Sequence, residues 1–142
     1  MDGFDSHSPG ETFDFAAKIG QKALEGEIYT LSGELGAGKT TFAQGFAAGL
    51  GVLGHVVSPT FSILNIYEGR LPLYHFDMYR IENPAELLNI GYEEYFYGCG
   101  VCLIEWPEMA KDGIPCSAIE IKICKNPERG SDYRRIILKG CK

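Results

Sequence analysis

The chain has 142 residues, enough for one domain around one core, and its 45% hydrophobic and 23% charged content is that of an ordinary globular protein. A formal charge of −6 with scattered basic residues excludes the basic stripe of a protein that grips nucleic acid unaided. No apolar run approaches the ~20 residues of a membrane-spanning helix, and the acidic start Met1-Asp2-Gly3-Phe4-Asp5 lacks an export signal's basic flank, so a cytoplasmic protein with no membrane association is expected.

Ser8-Pro9-Gly10-Glu11 opens the first predicted element. Ser8 suits the cap, Pro9 the first helical position and Glu11 the third, a capping-box arrangement. Phe13, Ala16, Ala17, Ile19 and Leu24 recur at helical spacing, which predicts an amphipathic helix over 9–25 ending near Gly26. Residues 27–32 are short, β-branched and apolar, a strand running into glycines, and helical spacing returns over 40–50 with Gly51 as its stop. Residues 56–67 and 71–79 read as extended chain joined by a turn at Glu68-Gly69-Arg70, a hairpin by pattern. Asn83-Pro84-Ala85-Glu86 starts a short helix that runs to Gly91. The aromatic cluster over 92–97 reads as core packing rather than a partner surface. Residues 101–104 form a buried strand. In 118–124, Ile119, Ile121 and Ile123 alternate with Glu120 and Lys122, so one face is wet, and 133–138 is the last strand. The expected architecture is a single α/β domain over 1–142, a P-loop NTPase fold with a central mixed sheet flanked by helices.

Five cysteines, an odd number without an export signal, argue against a disulfide framework. Cys99-Gly-Val-Cys102 has the spacing of a zinc half-site, but no second pair completes it, and Cys102 lies in the apolar strand, so a structural role is expected.

Gly33-Glu34-Leu35-Gly36-Ala37-Gly38-Lys39-Thr40 matches GxxxxGK[ST] in full, after a strand and before a helix. Gly33 and Gly38 permit backbone angles and close approaches that a side chain would block. The turn aims backbone N–H groups at a β-phosphate, helped by the helix N-terminus that follows. Lys39 puts an ammonium between β- and γ-phosphates, and the Thr40 hydroxyl completes the shell of Mg2+. The loop also needs a carboxylate at a neighbouring strand end. Glu105, closing the apolar strand, fits the magnesium anchor, and Asp77, closing a more mixed strand, fits the γ-phosphate side. Thr60 in Ser58-Pro59-Thr60 reads from pattern alone as a turn residue, and alternatively as a switch ligand to magnesium or the γ-phosphate. Trp106 either lines the site or packs in the core, and His75 reads as a satisfied strand histidine rather than a proton carrier.

Residues 31–41, Val57-Ser58-Pro59-Thr60-Phe61, Tyr74-His75-Phe76-Asp77-Met78-Tyr79-Arg80 and Ile104-Glu105-Trp106-Pro107-Glu108 together resemble the TsaE (YjeE) family, the ATPase component of bacterial tRNA threonylcarbamoyladenosine biosynthesis. The resemblance covers most of residues 8–110. It implies a weak Mg2+-dependent ATPase that works with a threonylcarbamoyl transferase subunit and its inactive paralogue, meets tRNA only indirectly, and resets that complex between turnovers. It implies that Gly33 to Thr41 bind the ATP phosphates, with Thr40 and Glu105 on magnesium. Asp77 and Thr60 then lie at the γ-phosphate, Trp106 against the site and Thr12 near the base. A late arginine, Arg134 or Arg135, is implied to touch the nucleotide, and the choice stays open. Two other classes compete. A small-molecule P-loop kinase would gather several arginines in a lid, which no segment here does, and a pure nucleotide switch would not need hydrolysis. No Asn-Lys-x-Asp string for reading guanine is present.

Overall fold

The computed structural model describes residues 2–34, 36–54, 56–57, 63–79, 81–83 and 85–140. The expected switch segment around Thr60, and Leu35 of the glycine loop, lie outside the described residues. Among the described residues the elements run β1 (Asp2–Ser6), α1 (Pro9–Lys22), β2 (Ile28–Ser32), α2 (Lys39–Gly49), β3 (Leu64–Tyr67), β4 (Leu73–Asp77), α3 (Ala85–Asn89), α4 (Tyr92–Phe96), β5 (Val101–Glu105), β6 (Ile119–Lys125) and β7 (Arg134–Lys139). A 3₁₀ turn covers Pro107–Gly113 and another Pro127–Arg129. Among the described residues no helix is long and apolar enough to cross a membrane.

Among the described residues seven strands join one mixed sheet in the order β1-β7-β6-β2-β5-β4-β3. The centre is parallel, with β2 between β6 and β5, and β4 beyond β5. The flanks are antiparallel: β3 on β4, and β7 and β1 beyond β6. Alternation along each strand sends one set of side chains to each face. Tyr29, Leu31, Leu73, Val101, Leu103, Ile121, Ile123 and Ile136 meet Ala16 of α1 and Phe42, Phe46 and Ala47 of α2. On the other face Ile28, Phe76, Cys102 and Ile104 meet Leu87 of α3 and Phe96 of α4. Glu120 and Lys122 face solvent, as the alternation in β6 predicts.

Of the extended segment predicted over 56–67 the structure shows β3 as a strand, residues 58–62 lying outside the described ones; the other predicted elements are present, with four departures. β1 was not expected. It pairs with β7, Phe4 opposite Ile136, about 130 residues away, and its Phe4 ring stacks on Phe15 at 4.4 Å. The first helix stops at Lys22 rather than 25. Arg70 Nη2 donates to the carbonyls of Gly20 (3.0 Å), Gln21 (3.2 Å) and Ala23 (2.9 Å), satisfying acceptors that another turn would use. In the cap, Ser8 Oγ accepts from Glu11 N–H as expected, but Glu11 Oε1 accepts from His7 N–H rather than Ser8. The aromatic cluster is itself a helix, α4. Phe96 is buried edge-to-face against Phe76 and Tyr92, as the core reading predicts, while Tyr97 is 68% exposed. Cys102 is likewise buried, and burial pushes its thiol up to about 12.

α1 and α2 touch backbone to backbone. A Cβ added at Gly20 would stand 2.2 Å from the Phe46 carbonyl oxygen, one at Gly45 2.3 Å from that of Phe13, and one at Gly49 2.0 Å from that of Ala17. No side chain can bend out of the way of a backbone oxygen. Gly49→Ala is therefore expected to destabilise by at least the ~1–3 kcal/mol typical of overpacking. Gly10→Ala, where a Cβ meets nothing closer than 3.8 Å, is expected to be neutral or slightly stabilising. Urea unfolding midpoints of the two variants check this, and equal midpoints would refute the tight helix contact.

Candidate functional site

β2 delivers the chain to the glycine loop at the carboxyl edge of the sheet. Gly33 passes so close to β6 that a Cβ would stand 2.7 Å from the Ile123 carbonyl oxygen. Ala37 is buried, and its N–H donates to the Glu34 carbonyl at 3.0 Å, closing the turn; Glu34 and Gly36 are exposed on it. Gly38 takes φ +101, a left-handed angle that other residues rarely adopt, and caps α2 without a side chain. The first N–H groups of α2 thus have no side-chain cap and carry the positive end of the helix dipole toward the loop. Thr40 is exposed on the first turn, and Thr41 is half-buried.

Lys39 is folded inward. Its Nζ donates to the Gly33 carbonyl at 2.6 Å and lies 3.5 Å from the centre of the Trp106 ring. Burial lowers the ammonium's pKa from its ordinary value, while Glu105, Glu108 and Asp77 act in the opposite direction. Trp106 has φ +56, the sole left-handed non-glycine among the described residues, and its ring meets Tyr79 at 4.9 Å. Such a backbone typically costs on the order of 1–3 kcal/mol and concentrates at functional sites.

The two acids end neighbouring strands level with one another. Asp77 and Glu105 are register partners across β4 and β5, and Glu105 is also opposite Leu31 on β2, two residues before Gly33. Glu105 is 3% exposed, and its Oε2 lies 2.6 Å from His75 Nε2. His75 is therefore satisfied at one nitrogen only, since Nδ1 is buried without a partner. Asp77 is half-buried and accepts the Tyr79 N–H at 3.0 Å. Burial raises its carboxyl above the ordinary range, the Glu105 charge adds to that, and the Tyr79 N–H, His75 and Lys39 oppose it.

On the outer side of the loop a cavity of about 230 Å³ is lined by Pro9 and Thr12 of α1, Gly36, Gly38, Thr41, Asp132 and Arg134. The helix contact described above brings Thr12 here. Its hydroxyl lies 2.7 Å from Ser6 Oγ, which donates to the Ser8 carbonyl at 2.9 Å. The choice between the late arginines falls on geometry. Arg134 Nε donates to the Ala37 carbonyl (2.8 Å) and Nη2 to that of Gly36 (3.2 Å), whereas Arg135 pairs with Asp5 across the sheet at 2.9 Å. Alternation could have found this, because Arg134 shares a face with Ile136, the buried residue on the α2 side. His75, Ser6 and Arg134 thus join the neighbourhood that the motifs defined.

A strand, a full glycine loop and a following helix, with acids at the ends of adjacent parallel strands, define the P-loop NTPase fold. The chain belongs to the TsaE family: the family model described as threonylcarbamoyl adenosine biosynthesis protein TsaE matches residues 6–136. Similar proteins named tRNA threonylcarbamoyladenosine biosynthesis protein TsaE include that of Bacillus subtilis, 45% identical over 91% of this chain and 79% of its own. That of Treponema pallidum is 41% identical over 83% of this chain and 87% of its own. A crystal structure of YdiB from Bacillus subtilis superposes with a TM-score of 0.84 at 37% identity, covering 99% of this chain and 86% of that one.

The raised carboxyl of Asp77 sets a stability prediction. With a folded-state value above the ordinary 3.8, the native protein holds the proton more tightly, so stability falls as pH rises from about 3.8 through the folded value. Asp77→Asn keeps an acceptor for the Tyr79 N–H and removes that loss. It is expected to melt above wild type at neutral pH, with the gap closing at about pH 3.5. Thermal melts at both pH values check this; a gap that persists in acid refutes it.

Proposed function

We propose that this protein is a Mg2+-dependent ATPase of tRNA threonylcarbamoyladenosine biosynthesis, acting in the cytoplasm on a threonylcarbamoyl transferase subunit and its inactive paralogue rather than on tRNA directly. One observation carries the hydrolytic half of the reading: Lys39 at the head of α2 shares its surroundings with two carboxylates, Asp77 and Glu105, at level strand ends. The family names carry the pathway half.

The residues fit a triphosphate with magnesium. Gly33 and Gly38 form a cradle that a Cβ at either position would spoil, by clash at one and by backbone strain at the other. The uncapped N–H groups of α2 bind phosphate oxygens, and Lys39 exchanges the Gly33 carbonyl for the β- and γ-phosphates. Among the described residues no group of three or more His, Cys, Asp or Glu is placed to hold a metal alone. The donor set suits Mg2+, which takes one or two protein ligands and completes its shell from phosphates and waters. Thr40 and Glu105 are those ligands, directly or through water. When bound, the ion neutralises charge that develops on the phosphates. Asp77 and Thr60 serve the γ-phosphate side, and Trp106 shields the lysine from water.

The outer cavity favours adenine. Ser6 spends its single hydroxyl proton on the Ser8 carbonyl, so the proton between Ser6 and Thr12 comes from Thr12. Thr12 Oγ1 then offers only lone pairs toward the cavity. Those match the N6 amine of adenine and oppose the O6 carbonyl of guanine. Thr12→Val is expected to cut the preference for ATP over GTP by about tenfold, the worth of one hydrogen bond. Competition binding of the two nucleotides reads this directly, and an unchanged ratio rejects Thr12 as the selector.

ATP hydrolysis by the purified protein, alone and with the transferase pair, tests the whole reading. The rate is expected to be slow alone and to rise with the pair. Lys39→Ala is expected to lower it by about 100-fold or more. A rate indifferent to the pair would remove the partner-coupled role, and a rate indifferent to Lys39→Ala would remove the site.

A further inference from the structure

His75 occupies a place where the fold gains nothing from a histidine. It is 0% exposed in the middle of β4, between Asn65 of β3 and Leu103 of β5, on the face that packs against α2. Leu73, two residues earlier on the same face, is an ordinary core leucine. The imidazole buries its Nδ1 without a partner, and an orphaned polar atom of that kind costs about 1–3 kcal/mol. In return the ring makes one bond: Nε2 lies 2.6 Å from Oε2 of Glu105, itself almost wholly buried. A carboxylate only accepts, so the ring donates through Nε2, and Nδ1 is the orphan.

The distance, the burial and the orphan point one way. We propose that His75 is a positioning residue, whose Nε2–H locks the Glu105 carboxylate in the orientation that meets the divalent cation of the bound nucleotide. The bond removes the rotamer freedom of a glutamate at a strand end and supplies from the protein a hydrogen bond that water would otherwise make. Outer partners of metal-ligating carboxylates set affinity by this route. Among the described residues the Asp77 carboxylate, level with Glu105 on the next strand, is met by the Tyr79 backbone N–H, so this imidazole brace belongs to Glu105. The inference rests on the magnesium-dependent reading above.

Two substitutions separate positioning from packing. A glutamine amide nitrogen reaches the place of Nε2, whereas an asparagine amide reaches only that of Nδ1 and falls short of Glu105. Mn2+ affinity is measured on complexes with a non-hydrolysable ATP analogue, alongside binding of the analogue in EDTA. His75→Asn is expected to weaken Mn2+ binding by about 10–100-fold, and His75→Gln to stay within about threefold of wild type. Analogue binding in EDTA is expected to be equal in all three, because the loop rather than Glu105 holds the phosphates. If His75→Asn binds Mn2+ as wild type does, or if both variants lose it equally, the positioning role is overturned while the ATPase reading stands. Wild type that binds analogue but no Mn2+ takes down both. A second measurement needs no variant: the His75 Nε2–H proton resonance of the wild-type complex. It is expected to move when Mg2+ is added to the analogue complex and not when analogue is added in EDTA. A resonance unmoved by Mg2+ overturns the proposal even if His75→Asn fails to fold.

Discussion

β4, β5 and β2 run parallel and end together, and the position of every group in the site follows from that ladder. Hydrogen bonding between parallel strands sets Asp77 opposite Glu105 and Glu105 opposite Leu31, so two acids and the entrance to the glycine loop share one edge of the sheet. Side-chain period two then decides which face each group meets. A slip of β4 by one residue would turn His75 and Asp77 toward α3 and α4 and put Tyr74 and Phe76 against α2. The large apolar load of both faces makes that slip costly. Leu73 is buried on one side and Phe76 on the other, so the packing that stabilises the sheet also protects the register of the acids.

The second support is the glycine-lined contact of α1 with α2. Helices that pack on side chains stand about 8–10 Å apart, and the missing Cβ atoms at Gly20, Gly45 and Gly49 let these two approach on bare backbone. The approach carries the first turn of α1, with Thr12, to the flank of the loop. Arg134 braces the same loop from β7, through the carbonyls of Gly36 and Ala37. The loop is thus held from the sheet and from a distant strand, with α1 across the cavity on its flank.

How much of this was legible in the sequence varied with the range of the interaction involved. Local signals read well: the GxxxxGK[ST] string, the cap at Ser8, the buried strand before Glu105 and the alternation in β6 are all visible within a few residues. β1 was not legible because its only reason to be a strand is a partner in β7. The early end of α1 was hidden because the group that satisfies its last carbonyls is Arg70, on another loop. His75 was half legible. A histidine flanked by apolar residues announces burial, but only the diagonal relation across β4 and β5 shows which carboxylate it faces. Arg134 and Arg135 are equivalent in composition and become distinct once the core face of β7 is known.

Trp106 is the chain's single tryptophan, and it sits with its ring against the Lys39 ammonium, the group that the proposed ATP binding requires to move. Indole emission is sensitive to a charge held against the ring. The protein therefore carries an internal optical reporter of the position of Lys39. If nucleotide draws Lys39 away as proposed, rapid mixing with ATP would time that departure without a label.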